Sequence, residues 1–457
     1  MAGIGFELRK ILEKGDILSL LKAYGYSAVI SSGPWIISII SIVVSGYISY
    51  PFIKNKHDLM AFMVSITYLL ALSLIFTGFF QFYFSRYIAD RLFEKRFEKV
   101  LPNIMGMLLL VLTTAFLFIS PAFFIFKDQG ALYSVTFVFT FLVLSGVWIL
   151  NIVLTALKNY RFIVFSFFIA YTFTISSVLV LSIAGSGLDG LLISFMGGQI
   201  ILFFLLLGLI IYSFESDKLV EFDFLDRKKI YPSLIFTGFF YNLGIWVDKF
   251  IFWFHPDTGE KVIGVLRNSI LYDLPIFLAY LAIVPGMAVF LLRLETEFAE
   301  KYDSYYDAVR GGATFDAIKK RHIEMIDTAR TSLFEVFRIQ TIVILIIFLF
   351  SEPIFRILNF PVFYIPLFHI DLVGTGLQLF FMSLLAISFY LDKRKAVLML
   401  TFLFFVLNMV FTFISIEMGI MFFGYGFALS LLVSSVVALY MLRKDFERLN
   451  YETFMLQ

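Results

Sequence analysis

The sequence predicts an all-α polytopic membrane protein with about twelve transmembrane helices. Of its 457 residues, 60% are hydrophobic and 15% are charged, whereas about a quarter of the residues in a soluble domain are charged. Apolar runs of about 18 residues or more recur along the chain, and each is long enough to cross a bilayer. These two observations place the chain among multi-pass membrane proteins.

The predicted spans form two groups of six on either side of a polar joint. The first group covers residues 24–46, 60–84, 102–125, 131–156, 162–184 and 188–213. The second group covers residues 231–254, 270–292, 337–355, 370–391, 396–415 and 421–442, and the stretch 262–270 is a possible extension of the eighth helix.

These groups predict an N-lobe over residues 1–213, a linker over 214–230 and a C-lobe over 231–457. Equal counts with the same sidedness imply a parallel repeat, with the substrate passing between two six-helix lobes.

The distribution of basic residues predicts the orientation. Most of the 36 Lys and Arg residues fall at the two ends and in alternate loops, and such loops face the cytoplasm. Both termini are therefore expected to be cytoplasmic. Residues 1–22 are charged and amphipathic, which indicates a helix lying in the interface rather than a cleavable signal peptide. The longest cytoplasmic loop, 293–336, is expected to be helical, as an interfacial helix or a surface for cytoplasmic partners.

Composition also excludes several function classes. The chain has no cysteine and four scattered histidines, so neither disulfides nor a zinc site are expected. No nucleotide-binding or hydrolase motif is present, and a net charge of +2 does not indicate a nucleic-acid partner. We therefore predict a protein that is not an enzyme, with no catalytic residue, cofactor or metal.

The first span contains an unusual polar and proline-containing segment. Ser32, Gly33, Pro34 and Trp35 lie near its middle. Pro34 cannot donate to the carbonyl of Ile30, so the helix is expected to be kinked or broken there. A broken helix near the midplane is tolerated where it lines a cavity or packs against protein. We favour a cavity lining; an ordinary proline kink is the alternative.

Charged residues in and near spans seven and eight are further candidates for the substrate path. The candidates are Asn242, Asp248, Lys249, Arg267 and Asp273, because ionisable groups within membranes are costly and usually face the protein interior. Asp248 is interpreted as the only acid well inside a span. Adjacent helical positions point about 100° apart, so we expect the pairs Asp248–Arg267 and Lys249–Asp273. The alternative is that all four charges lie in the outer headgroup region, with Lys249 snorkelling.

Three smaller features complete the pattern. Pro275 and Pro285 are expected to kink the eighth span. The tetrapeptide TGFF occurs at residues 77–80 and 237–240, which is a weak repeat in a chain with 60 Phe residues. Asn151, Gln199 and Asn408, each inside a span, are weaker polar candidates, and each is expected to make an interhelical hydrogen bond rather than to contact a ligand.

The N-terminal segment carries a family resemblance. The opening MAGIGFELRKIL and the SSGPW motif at residues 31–35 resemble Pel exopolysaccharide transporters of the PelG type, which are similar to the multidrug/oligosaccharidyl-lipid/polysaccharide (MOP) flippases. The resemblance implies a MATE-like fold in the bacterial inner membrane. The cargo would be nascent Pel polysaccharide, an N-acetylhexosamine-rich biofilm polymer. The partners would be a cytoplasmic glycosyltransferase and inner-membrane Pel subunits, one of which senses cyclic di-GMP.

Other functions remain open at this point. The same fold could serve a lipid-linked oligosaccharide flippase or a cation-coupled multidrug antiporter. A scaffold of the synthase complex that transports nothing is a third possibility. The major facilitator fold is disfavoured, because its long central loop lies between spans six and seven, whereas here the long loop lies between spans eight and nine.

Overall fold

A computed structural model of the chain describes residues 17–53, 55–156, 160–226 and 231–455. The described chain is almost entirely helical, with one short β-hairpin. The helices are α1 (Ile17–Ser49), α2 (Lys56–Phe93), α3 (Val100–Ile119), α4 (Ala122–Ile125), α5 (Ala131–Ala156), α6 (Tyr160–Ile183), α7 (Gly187–Ser213), α8 (Pro232–Phe254), α9 (Ile270–Leu281), α10 (Val284–Leu292), α11 (Ala299–Arg310), α12 (Phe315–Ile357), α13 (Ile365–Tyr390), α14 (Arg394–Glu417) and α15 (Tyr425–Met455). The strands are β1 (Glu260–Ile263) and β2 (Leu266–Asn268). Most of the predicted N-terminal interfacial helix lies outside the described residues.

The helices confirm a multi-pass membrane protein. Ten helices of the described chain are long and apolar enough to cross a bilayer, and there are eleven if one bent pair is counted as a span. The first predicted span lies within α1, where Ile37–Ser49 is an apolar stretch too short to be counted by itself. The predicted number of twelve is therefore not confirmed.

Helix contacts divide the chain into two compact units. Unit 1 contains residues 17–32, 247–251 and 270–455, and unit 2 contains residues 33–246 and 252–269 of the described chain. Within unit 2, α5 packs against α2, α3 and α7, and α6 packs against α7. Within unit 1, α13 packs against α9, α12 and α15, and α14 packs against α15. The unit boundaries fall inside α1, after Ser32, and inside α8.

The eighth predicted span is bent, as its prolines indicate. The axes on either side of the break between α9 and α10 differ by 41°, and Pro285 lies at the first turn of α10, where a missing N–H costs nothing. Side chains from other helices bond to carbonyls at the end of α9. The Gln340 amide donates to the Ala282 carbonyl at 3.2 Å, and the Thr375 hydroxyl donates to the Ala279 carbonyl at 3.3 Å. Such bonds make a bent helix tolerable in an apolar interior.

A β-hairpin occupies the segment considered as an extension of the eighth helix. Strands β1 and β2 pair antiparallel, with Lys261 opposite Arg267. A two-residue turn joins them, and its first residue, Gly264, has φ +55°. Glycine adopts this left-handed conformation without steric cost. The helical extension is therefore wrong.

Helix α1 passes through Pro34 without a break. Its backbone is helical from Ile17 to Ser49, including Pro34, so the predicted interruption is absent. A proline removes one hydrogen bond and need not end a helix whose other bonds remain in place. A bend without interruption stays a prediction.

The two TGFF segments meet inside unit 2. A methyl group built on Gly78 would lie 2.7 Å from the carbonyl oxygen of Gly238, and one built on Gly238 would overlap the carbonyl oxygen of Gly78. The aromatic rings that follow, Phe79 and Phe239, stack with centroids 4.2 Å apart. Helices α2 and α8 thus cross with their backbones in contact, as small residues allow. We call this contact the glycine crossing.

The described part of the linker, residues 214–226, is fixed to α3. The Glu221 N–H donates to the Pro102 carbonyl at 3.0 Å. The Glu221 carboxylate pairs with Lys218 at 2.7 Å and with Lys99 at 2.9 Å. Hydrogen bonds from Lys218, and to a lesser degree from Lys99, lower the pKa of the Glu221 carboxyl, because such bonds stabilise its charged form.

Candidate functional site

A buried polar cluster lies inside unit 1. Helix α8 contributes Asp248 and Lys249, which are 0% and 5% exposed. Helix α9 contributes Tyr272, α13 contributes Asp371 and α14 contributes Asn408, and these three side chains are also buried. Charges are expensive in such an environment unless they are paired. The cluster is therefore the strongest candidate for a functional site in the described chain.

Asp248 is the centre of the hydrogen bonding. Its carboxylate accepts from the Tyr272 hydroxyl at 2.6 Å and from the Asn408 amide at 3.3 Å. The Lys249 ammonium lies 3.0 Å from Oδ2 and 3.3 Å from Oδ1. The Asn408 carbonyl oxygen accepts in turn from the Thr412 hydroxyl at 3.0 Å. The expected interhelical bond of Asn408 is confirmed, and its acceptor is a carboxylate.

The pairing predicted for Asp248 is wrong. Its partners are Lys249, Tyr272 and Asn408 rather than Arg267. The prediction treated adjacent residues as pointing apart, but the four-carbon stem of lysine is long enough to fold back along the helix. Lys249 does not snorkel to the surface either, because it is buried beside Asp248.

Aromatic rings enclose the Lys249 ammonium. Its nitrogen lies 4.9 Å from the ring centroid of Phe427 and 5.4 Å from that of Tyr280. Ring faces carry partial negative charge and attract a cation at these distances. Lys249 is thus held by a carboxylate and by two aromatic faces within an apolar interior.

Asp371 is a second buried acid, and it is not among the residues predicted from the sequence. It is 0% exposed, and neither carboxylate oxygen has a hydrogen-bond partner within the described ranges. The predicted tenth span began at residue 370, which made Asp371 a terminal charge. Helix α13 in fact begins at Ile365 and carries Asp371 into its second turn. The apolar residues flanking Asp371 on both sides were the available signal.

The acidic groups of the cluster lie within each other's electrostatic field. Lys249 and Asp248 both act on Asp371, and both carboxylates act on Tyr272 and Tyr280. With both acids ionised, two negative charges would face one positive charge. A low dielectric makes such an imbalance costly, so the cluster has room for one more positive charge: a proton or a small cation.

The remaining candidates are Arg267 and Asn242 in unit 2 and Asp273 in unit 1. Arg267, in β2 of unit 2, donates its guanidinium to the Gly259 carbonyl at 2.7 Å. Asp273 lies in the first turn of α9, where the helix N-terminus favours a negative charge. Asn242 belongs to the glycine crossing, where its amide donates to the Leu74 carbonyl at 2.9 Å. Of the five candidates near spans seven and eight, the buried cluster of unit 1 contains Asp248 and Lys249.

The SSGPW segment has a different environment. Ser32 is buried in unit 1, and its hydroxyl donates to the Ala28 carbonyl at 2.7 Å. Gly33, Pro34 and Trp35 continue helix α1 as the first residues of unit 2. A cavity lining by this segment stays a prediction.

Among the described residues, no group of three or more His, Asp and Glu side chains has the arrangement of a metal site. The chemistry that the cluster supports is instead the binding or release of one positive charge in an apolar interior, of the kind that marks ion and proton pathways.

The whole chain matches one protein family. The model of the PelG family, described as an exopolysaccharide exporter (EPS-E), matches residues 1–454. No curated protein matches the chain in sequence. The family consists of transporters, which confirms that the chain is not an enzyme.

Solved structures show the same fold at low identity. An outward-facing multidrug resistance MATE transporter of the MOP superfamily has a TM-score of 0.64 and 14% identity, over 93% of this chain and 96% of that one. A MOP-superfamily transporter from Pyrococcus furiosus, described as having a binding pocket of reverse polarity, has a TM-score of 0.67 and 13% identity, over 94% and 96%. A MATE protein in the bent conformation has a TM-score of 0.62 and 13% identity, over 98% of both chains. The chain therefore belongs to the PelG family of exopolysaccharide exporters and has the fold of MOP-superfamily transporters.

Proposed function

We propose that this protein moves nascent Pel-type polysaccharide across the bacterial inner membrane to the periplasm during synthesis of a biofilm matrix. The observation that carries the proposal is the match of the exporter family over almost the entire chain. The identity of the polymer as N-acetylhexosamine-rich comes from the sequence resemblance at the N-terminus. The transporter fold is compatible with this cargo and does not select it.

The proposal includes partners on the cytoplasmic side. A cytoplasmic glycosyltransferase would supply the growing chain, and inner-membrane Pel subunits would complete the complex. Helix α11 and the first half of α12 support this arrangement. They are charged and are tied together by the Lys301–Glu324 ion pair at 3.2 Å and by a bond from the Arg321 guanidinium to the Ser304 hydroxyl at 2.8 Å. Such a hairpin offers a rigid polar surface to a soluble enzyme, provided both termini are cytoplasmic as the basic residues indicate.

The buried cluster is proposed to act in the transport cycle. Asp248, Lys249 and Asp371 are the acidic and basic residues of the cluster, and the first two lie on α8, a helix that belongs mostly to unit 2. A change in the protonation or ion binding of the cluster would bias this part of unit 1 toward one conformation. The other path candidates, from Ser32 to Trp35, Asn242, Arg267 and Asp273, remain proposals.

A cation-coupled antiporter of small molecules is the second candidate function. Asp371 favours it, because this buried carboxylate accepts no hydrogen bond from the residues that the structure describes, which suits coupling to an ion. A flippase for pyrophosphate-linked lipids is less well supported, since it needs free cationic groups in its path and Lys249 is already paired. The scaffold hypothesis gains nothing from a buried charge cluster.

Deletion and complementation test the proposal. A strain that lacks this protein but keeps an active glycosyltransferase should accumulate polymer in the cytoplasm and lose it from the periplasm. The wild-type gene should restore export, and Asp371→Ala should restore less. Periplasmic polymer at wild-type levels in the deletion strain would refute the exporter. Proton-driven drug exchange in liposomes, with export unaffected, would favour the antiporter.

A further inference from the structure

The charges of the buried cluster do not balance by themselves. It contains two carboxylates, Asp248 and Asp371, and one ammonium, Lys249, all buried within unit 1. The hydroxyls of Tyr272 and Tyr280 are the other titratable groups in the same field. One further positive charge is needed, and the arrangement of oxygen atoms indicates which kind.

The oxygen atoms of Asp248 and Asn408, which could otherwise bind a metal cation, already accept hydrogen bonds. Asp248 accepts hydrogen bonds from Lys249, Tyr272 and Asn408. The carbonyl oxygen of Asn408 is taken by Thr412. An alkali cation needs several oxygen ligands to replace its water shell. Within the described ranges, the two carboxylate oxygens of Asp371 accept no hydrogen bond.

The Lys249 ammonium takes the place that a mobile cation would have beside Asp248. It touches both carboxylate oxygens of this residue, at 3.0 and 3.3 Å. The rings of Phe427 and Tyr280 enclose it, so the lysine is held in an apolar environment suited to a dehydrated cation.

We propose that Lys249 is a built-in counter-ion that closes this acidic site to Na⁺ and leaves Asp371 to hold a proton. The site would then respond to protons and not to sodium. This inference concerns the ion selectivity of the cluster and is independent of the exported cargo. Its test is a binding measurement on purified protein, so it succeeds or fails separately from the exporter function.

Removal of the ammonium should create a sodium site. In Lys249→Met, two carboxylates would share a buried site without a counter-charge, which favours the recruitment of a cation. Binding of radioactive ²²Na⁺ to detergent-purified protein at pH 8 should be undetectable for the wild type and close to stoichiometric for Lys249→Met. It should be lost again in Lys249→Met/Asp371→Asn. The matched variant Lys249→Arg keeps the charge and should bind no sodium.

Two results would overturn the proposal. The first is saturable Na⁺ binding by the wild type, a measurement that does not depend on any variant being folded. The second is a Lys249→Met protein that is monodisperse and unfolds cooperatively on heating yet binds no sodium.

The proton on Asp371 has its own test, because asparagine is the neutral isostere of the protonated acid. Asp371→Asn should unfold within about 2 °C of the wild-type Tm at pH 7, and a Tm much higher would mean that Asp371 is ionised in the wild type, because the substitution then removes a buried negative charge.

Discussion

Replacing Asp248 with asparagine should destabilise unit 1, because the buried Lys249 ammonium loses the carboxylate that it contacts. The side chain is 0% exposed, and its ion pair with Lys249 is 3.0 Å long. Removal of one partner from a buried pair typically costs about 3–5 kcal/mol, most of which is the desolvation of the remaining charge. The asparagine can still accept from the Tyr272 hydroxyl, so we expect a value near the lower end of this range.

A double-mutant cycle separates this effect from a general loss of packing. Lys249→Met removes the ammonium that has lost its partner carboxylate. The double variant Asp248→Asn/Lys249→Met should therefore recover most of the stability that Asp248→Asn loses. The measurement is the free energy of unfolding of all four proteins in mixed detergent and SDS micelles. Export should fall in both single variants and in the double variant, because the double variant folds but lacks the charges. Additive costs of the two single substitutions would refute a coupled pair.

Three further predictions follow from other contacts. Gly238→Ala should lower the free energy of unfolding by about 1–3 kcal/mol, because the added methyl group overlaps a backbone carbonyl. Gly208→Ala is the matched control: its methyl group has open space among the described residues, so this substitution should be neutral or stabilising when both variants are compared by thermal unfolding. Tyr272→Phe should lower the free energy of unfolding by about 1–3 kcal/mol, because it removes the hydroxyl that donates to Asp248. An unchanged Tm would contradict the importance of this hydrogen bond. Because its pKa is lowered in the folded state, Glu221 should stabilise the docked linker above its unfolded pKa and lose this contribution as the pH falls through the folded value. The stability difference between the wild type and Glu221→Gln should therefore be about 1 kcal/mol at pH 7 and vanish in acid, and a difference independent of pH would contradict the ion pairs.

The sequence was sufficient for the features that depend on local composition. In α5 (Ala131–Ala156) and α8 (Pro232–Phe254), the helix limits follow the apolar runs to within one residue. The bend before Pro285 was likewise visible, because the missing N–H of proline acts on its own helix. The orientation of the termini and the lobe boundaries remain predictions.

The site was only half predictable, because the partners of a buried charge come from distant segments. Asp248 could be identified from its position inside an apolar run, but its hydrogen-bond donor Asn408 lies 160 residues away. Asp371 was missed because the start of a helix is uncertain by several residues from sequence, and one turn decides whether an acid is terminal or buried. The side-chain conformation of Lys249 depends on the rings of Phe427 and Tyr280, which no local pattern places there.

The glycine crossing restricts how mutations in this region can be repaired. Ordinarily, a bulky substitution in one helix can be compensated by a smaller residue in its neighbour. Here the neighbour at each of the two positions, Gly78 and Gly238, is a backbone carbonyl, which no amino-acid replacement can shrink. A suppressor would have to separate the helices and so lose the stacking of Phe79 on Phe239. A genetic screen should therefore find second-site revertants of a substitution at either glycine only rarely, and outside the TGFF segments.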